Sequence, residues 1–326
     1  MKAKSFIQNC IAASFALTSV VTGFSVHAAY PDRPVTLIAP FAPGGSTDML
    51  ARVVAAALSD ELGQSVVVSN KGGAGGTLGA AVAAKSPNDG YTVLLSNVTL
   101  TSADAVFSKL SYDIVNDFDH VVYLGASPCV IVANKNLPLT DVKSFFAYLK
   151  DNPGKLNYGS SGVGAASHLC GQSFLTTGGF KATHVPYRGA GPMMVDVIGG
   201  SLAFAVDTAG SAASQIKGGN VRGLAVTSGQ RLDLLPDLPT VKESGVPFEM
   251  AIWYGLVTPK GTPADVQTRL YEATRRAMKS QKVVEAYKTL GLAIDKDIAP
   301  GKFVALVKSD KTRWTEIVKS AGISPE

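Results

Sequence analysis

Apolar positions along the chain alternate between short continuous runs and helical stripes. Val35, Leu37, Ile38 and Ala39 read as a buried parallel strand. The segment Pro40 to Gly45 breaks the chain, and Thr47 or Asp48 can cap a helix running through Leu50, Val53, Val54, Ala57 and Leu58. Strands at 65–69 and 91–96 and a helix over 76–84 complete a βαβαβ run. Right-handed crossovers place the loops after Pro40, Asn70 and Ser96 at one sheet edge.

A second alternating series follows. It predicts strands at 121–124, 130–133, 156–158, 183–186, 202–206 and 221–227. Helices are predicted at 141–150, 164–176, 192–198 and 211–217. The end of the chain has a strand over 251–257 and helices over 264–279, 281–290 and 299–320, with only 292–294 able to form another strand. Such a tail lacks the elements of an independent domain and is expected to pack back on the first series. The chain would then cross between lobes near 125–130 and 251–256. Two crossings make a hinge, and two lobes on a hinge make a cleft. The predicted fold class is α/β with two doubly wound lobes. One lobe comprises 29–126 plus 252–326, and the other 127–251.

The first residues change the compartment. Lys2 and Lys4, a mostly apolar stretch from Ile11 to Val26, and Val26-His27-Ala28 read as a secretory signal peptide over residues 1–28. No later segment is long and apolar enough to span a membrane. The formal charge is +5, and removing Lys2 and Lys4 leaves +3. With 17 % charged residues and no basic run interleaved with aromatics, nucleic acid is not an expected partner. Cys129 and Cys170 remain after cleavage, one in a predicted strand and one in a predicted helix. Two buried free thiols are expected there.

Candidate chemistry starts at the strand–glycine turn–helix of residues 35–48. Such a turn offers free N–H groups to an anion, without the Gly-Lys-Ser/Thr ending of a nucleotide loop. The alternative reading is a tight βα connection. Residues 72–79, GGAGGTLG, look like a dinucleotide fingerprint, but Leu78 stands where the last glycine belongs. No histidine, cysteine or acid set has metal spacing, so neither metal nor cofactor is expected.

The ordered segments PFAPGGSTD (40–48), LGQSVVV (62–68), GGAGGTLGA (72–80), DGYTVLL (89–95) and LNYGSSGVGAASHL (156–169) make the resemblance specific. So do VPYRGAGPMMVDVIGG (185–200), VRGLAVTS (221–228) and LPDLPTVKESG (235–245). Over nearly the whole mature chain the sequence resembles the Bug-type extracytoplasmic solute receptors of tripartite tricarboxylate transporters. The resemblance implies a periplasmic-binding-protein fold of the second type. It also implies a small carboxylate held in the cleft by backbone amides and waters, and integral-membrane permease subunits as partners. The working form is expected to be a monomer in the periplasm.

Carried over by position, the first ligand loop is Phe41, Ala42, Gly44, Gly45 and Ser46, with Asp48 favoured as a cap. The second is Ser160, Ser161, Gly164, Ala165 and Ser167, where Gly164 and Ala165 would offer amides at a helix start. His168 is read first as a hydrogen-bonding core histidine and second as a ligand contact. Asp207 either binds a ligand hydroxyl or amine or caps a helix. Ser96 and Asn97 either face the cleft or form a plain loop. Arg188 either pairs a distal carboxylate or stays solvated. Trp253 and Tyr254 are expected to pack the hinge. Two other functions use the same residues: a sensory receptor with an identical site, and a hydrolase with Ser161 as nucleophile and His168 as base. The absence of G-x-S-x-G and H-E-x-x-H motifs argues against an enzyme.

Overall fold

The computed structural model describes residues 30–293 and 299–320. The signal-peptide reading lies outside them, as does Ile294 of the predicted 292–294 strand. Among the described residues no helix is long and apolar enough to cross a membrane.

The first lobe is built on β1 (Val35–Ala39), β2 (Val66–Asn70) and β3 (Thr92–Asn97), with β1 between the other two and all three parallel. Their C-terminal ends therefore share one edge, as the crossover rule requires. Helix α1 (Ser46–Leu62) buries Leu50, Ala51, Val54, Ala55, Leu58 and Leu62, the stripe a 3.6-residue period places on one face. It ends at Gly63, whose φ of 74° is a left-handed cap conformation that glycine adopts without strain. Helix α2 (Thr77–Ala84) follows β2.

Helix α3 (Val98–Val106) starts directly at the end of β3, where the sequence reading left a loop. Val98, Thr99 and Thr101 are β-branched and poor helix formers in isolation. The helix forms because Val98, Leu100, Ala103 and Val106 are buried and Asn97 caps it, its Oδ1 accepting from Thr99 N–H at 3.0 Å.

Strand β4 (Phe118–Ala133) replaces the two short strands predicted at 121–124 and 130–133. Gly125 and Pro128 look like breakers, but a bulge between Tyr123 and Gly125 absorbs the first. At the second, β4 exchanges partners. Phe118 to Pro128 pair antiparallel with β9 (Ala251–Pro259), whereas Cys129 to Ala133 pair with β7 (Phe204–Thr208) and β8 (Arg222–Val226). Pro128 has no N–H to give, so it sits where one ladder ends and the next begins.

The second lobe adds α4 (Val142–Asp151), β5 (Asn157–Ser160), α5 (Ala166–Gly178), β6 (Thr183–Pro186), α6 (Ala190–Gly199) and α7 (Ala209–Lys217). The strands form one order, β2-β1-β3-β9-β4-β7-β5-β6, with β8 on the other side of β4. Helices α8 (Ala264–Ala277), α9 (Gln281–Thr289) and α10 (Pro300–Ser320) return to the first lobe, α8 packing on α1 and α10 on α3.

Trp253 is buried edge-on to Phe303 of α10, with centroids 5.5 Å apart, and its indole N–H donates to Asp310. Cys129 and Cys170 are both buried and unbonded. Burial, reinforced by the neighbouring Cys170, pushes the Cys129 thiol well above its ordinary range.

Candidate functional site: a cavity ringed by helix starts

A cavity of about 40 Å³ lies between the lobes, and five helices begin at its wall. Gly45, Ser46 and Thr47 belong to the start of α1, and Asn97 caps α3. Ala166 and Ser167 open α5, Gly189 and Ala190 open α6, and Asp207 and Thr208 precede α7. The first N–H groups of a helix have no partner within it, and its dipole places partial positive charge at the same end. Phe41, Ser161 and Tyr254 complete the wall, so no lysine, arginine or histidine lines it. Among the described residues no three His, Cys, Asp or Glu side chains gather to hold a metal ion. The cavity therefore suits an anion held by amides and hydroxyls.

The first turn is held from behind by Asp48. Its Oδ2 accepts from Gly44 N–H at 3.1 Å and its Oδ1 from Asn70 Nδ2 at 2.9 Å, and Arg52 lies 3.0 Å from Oδ1. Burial alone would raise its pKa, but the bonds from Arg52, Gly44 and Asn70 outweigh burial and hold the carboxyl below its usual range. Neither Asp48 nor Gly44 reaches the cavity wall, and the cap position belongs to Gly45, not to Thr47 or Asp48. Asp48 thus shapes the loop that Gly45 and Ser46 present. Replacing Asp48 by Ala is expected to lower the unfolding free energy by ~1–3 kcal/mol, the cost of stranding partly buried donors. Urea denaturation of the two proteins measures it.

The second turn differs from its predicted form. Helix α5 begins at Ala166, two residues later than expected, because Gly164 and Ala165 spend their amides inside the turn. Gly164 N–H donates to His168 Nδ1 at 3.1 Å, and Ala165 N–H to Gly162 C=O at 3.1 Å. The open amides are those of Ala166 and Ser167 instead. The hydroxyls of Ser161 and Ser167 lie 2.8 Å apart, and Ser167 Oγ also accepts from Ser161 N–H at 2.8 Å.

Ser160 lies beneath the wall, its hydroxyl 2.6 Å from His184 Nε2. His168 and His184 stack with centroids 3.9 Å apart and planes 13° from parallel. Burial lowers His168 to about 3, with His184 adding to the effect, and burial lowers His184 to about 4. Both rings are neutral at physiological pH. They support the turn from behind without lining the cavity. His184 was missed by sequence reasoning; a lone histidine in a short strand carries no local signal.

Asp207 is buried at the cavity wall. Its Oδ1 accepts from Thr208 N–H at 2.8 Å, while Oδ2 has no hydrogen-bond partner. Burial pushes its pKa up to about 6, a shift that Ser211 and Thr208 only partly offset. Ser96 is fully buried behind the wall, not on it. Arg188 is exposed and lines a separate outer cavity of about 240 Å³, which shares Phe41 and Ser161 with the inner one and also takes in Ala42. Tyr254, expected in hinge packing, reaches the inner cavity, where burial raises its hydroxyl pKa. Thr47, Ala166, Gly189, Ala190 and Thr208 are further wall residues that were not among the expected ligand contacts. The Gly189-Ala190 start was hidden because Pro192 two residues on looked like the first helical position.

The two lobes touch across this cavity. Ser46 Oγ of the first hydrogen-bonds Thr208 Oγ1 of the second. A volume of about 40 Å³ holds roughly three waters.

Comparison with known proteins agrees with this geometry. Residues 50–323 match the tripartite tricarboxylate transporter family receptor. The Bordetella pertussis protein BugT is 36% identical over 90% of this chain and 90% of its own. The structure of R. palustris Rpa4515 with adipate superposes with a TM-score of 0.87 at 34% identity, over 91% of this chain and 100% of that one. MatC from Rhodopseudomonas palustris with bound malate has a TM-score of 0.84 at 31% identity, over 89% of this chain and 100% of that one. The chain therefore belongs to the tripartite tricarboxylate transporter receptor family, and it shares its two-lobed α/β fold with these structures and with the periplasmic binding protein BugD.

Proposed function

We propose that this protein captures a small carboxylate between its lobes outside the cytoplasm and delivers it to integral-membrane permease subunits. One observation carries the reading: five helix N-termini converge on a cavity whose wall bears no cation. Residues 1–28 act as the export signal, and the mature protein works as a monomer. The lobes are 29–126 with 252–326, and 127–251; β4 and β9, running through the crossing, support that division. The carboxylate-bound relatives support the ligand class.

Entry requires the Ser46–Thr208 contact to part, because the closed cavity is smaller than any dicarboxylate. Ligand then favours closure through contacts available only when both lobes meet it. The protein is not an enzyme on this reading. Ser161 pairs with Ser167 and not with a base, and the Ser160–His184 pair is buried beneath the wall.

Thermal denaturation of the mature protein with a panel of carboxylates tests the proposal. A true ligand at about 100 times its dissociation constant adds about 2.7 kcal/mol to the unfolding free energy. The matched neutral amides are expected to add nothing. Equal stabilisation by acid and amide would overturn the reading, as would acylation of the protein by activated esters that depends on Ser161.

A further inference from the structure

Behind the hinge lies a groove far larger than the cavity in front of it. Its volume is about 670 Å³, against about 40 Å³ for the inner cavity. Its floor is the crossing itself, where Pro128 of β4 pairs with Ala251 of β9. Ala251 and Tyr254 are three positions apart in a regular stretch of β9, so they point to opposite faces of the strand. Tyr254 lines the inner cavity and Ala251 the rear groove. The two spaces therefore lie on opposite sides of one pair of hinge strands. The rear walls come from different lobes: Thr289 and Leu292 from the first, Leu232 and Leu234 from the second. They already touch at one end, where a Cβ on Gly291 would lie 3.2 Å from Leu234 Cδ2. Lys288 lines the groove from the first lobe, and Asp233, Glu249 and Lys217 line it from the second, so the walls carry opposite net charge. Rigid lobes turning on the hinge strands move oppositely on the two sides of that axis. Parting Ser46 from Thr208 in front thus narrows the space behind and brings Leu292 toward Leu232. Narrowing removes apolar surface from water and lets opposite charges approach. What covers this groove is the chain's own far wall.

We propose that the rear groove is a counterweight to the ligand site: its walls meet when the front is open and so hold the unliganded protein open. This rests on the two-lobed carboxylate-receptor reading above and adds what ligand binding has to overcome. A carboxylate closes the front only by drawing the rear walls apart. Groove residues that never touch it therefore set its affinity, because apparent affinity scales with the fraction of protein already in the binding form.

Electron–electron resonance distances in the mature protein test this without any acid present. Spin labels go on Leu78→Cys in α2 and Val195→Cys in α6, exposed positions on opposite lobes. Cys129 and Cys170 are buried and escape labelling. The unliganded wild type is expected to show mainly the longer of two distances. Thr289→Trp fills the groove from an exposed position on one wall, and Leu232→Ala trims the other. Each should raise the closed-to-open ratio at least about threefold, one by wedging the rear apart and one by removing a contact of the open form. Thr268→Trp, exposed on α8 and outside the groove, should change nothing. A general loosening of the fold would not make added and removed volume act alike. If either groove variant leaves the distances unmoved or lengthens them, the proposal fails. It fails too if the unliganded wild type already sits wholly at the short distance. Malate and adipate, titrated into the labelled wild type, test the underlying reading separately. Failure of these and of every acid in the wider panel to shorten the distance overturns that reading, whatever the groove variants do.

Discussion

Between pH 6.5 and 4 the protein is expected to lose a large part of its folding stability. The cause is three histidines held neutral in the interior. His120 is lowered to about 4, by burial first; Asp119 pulls the other way, and Lys260 and Lys308 add to the lowering. His168 is lowered to about 3 and His184 to about 4. In the unfolded chain each titrates near 6.5. Below that pH the unfolded state binds protons that the native state refuses, so stability falls as pH falls, until the folded pKa values are passed. For the well-buried His120 and His168 the loss by pH 4 is on the order of 3 kcal/mol each, against a typical total of roughly 5–15 kcal/mol.

Asp207 acts in the opposite sense. With its pKa raised to about 6, the native state takes up its proton before the unfolded state does. Stability from this group rises as pH falls from 6 to its ordinary value of 3.8. That gain, on the order of 3 kcal/mol, is smaller than the combined histidine loss. Urea midpoints measured from pH 8 to pH 4 should therefore stay level down to about 6.5 and drop below it. His168→Gln should start lower at pH 8, because Gly164 N–H loses its acceptor, and should show a shallower decline. A midpoint in the wild-type protein that holds constant to pH 4 would mean that the stacked rings already carry a proton in the native state.

The parts of this fold that could be read along the chain are those set by local pattern. The strand–turn–helix units of the first lobe show because Leu37 and Ile38 are buried in one rhythm, and Leu50, Val54 and Leu58 in the other. What stayed hidden is set by contacts between distant segments. Helix α3 has weak local propensity and stands on tertiary burial of Val98, Leu100 and Val106. Strand β4 runs through Gly125 and Pro128 because partners far along the chain change at that point. The site shows the same division. The glycine turns near Gly45 and Ser161 could be seen as anion-ready. Whether a given amide stays free depends on where His168 and Gly162 point, and they take the amides of Gly164 and Ala165. The His168–His184 stack joins residues from α5 and β6, which only the assembled second lobe brings together.

A bulky residue at position 75 is expected to hold the cleft open and cut carboxylate affinity at least 100-fold. Gly75 lies in the turn before α2, in the first lobe, with a φ of 61°. A Cβ built there would lie 2.4 Å from Val163 C=O and 3.4 Å from Ala165 N, both in the second lobe's turn. Valine at this position therefore meets backbone across the cleft, which cannot rotate away as a side chain can. The left-handed backbone adds about 1–2 kcal/mol of local strain. Gly63→Ala separates the two effects. Gly63 has a φ of 74° and nothing within 4 Å of an added Cβ, so it bears the strain without the wedge. Both variants should lose similar folding stability, while only Gly75→Val should lose affinity. Small-angle scattering supplies the second measure: ligand should compact the wild type and the Gly63→Ala protein but leave Gly75→Val at its unliganded radius. If Gly75→Val binds and compacts like the wild type, the turns at 75 and 163 do not meet in the liganded state. Closure would then have to bring different surfaces together from those that touch here.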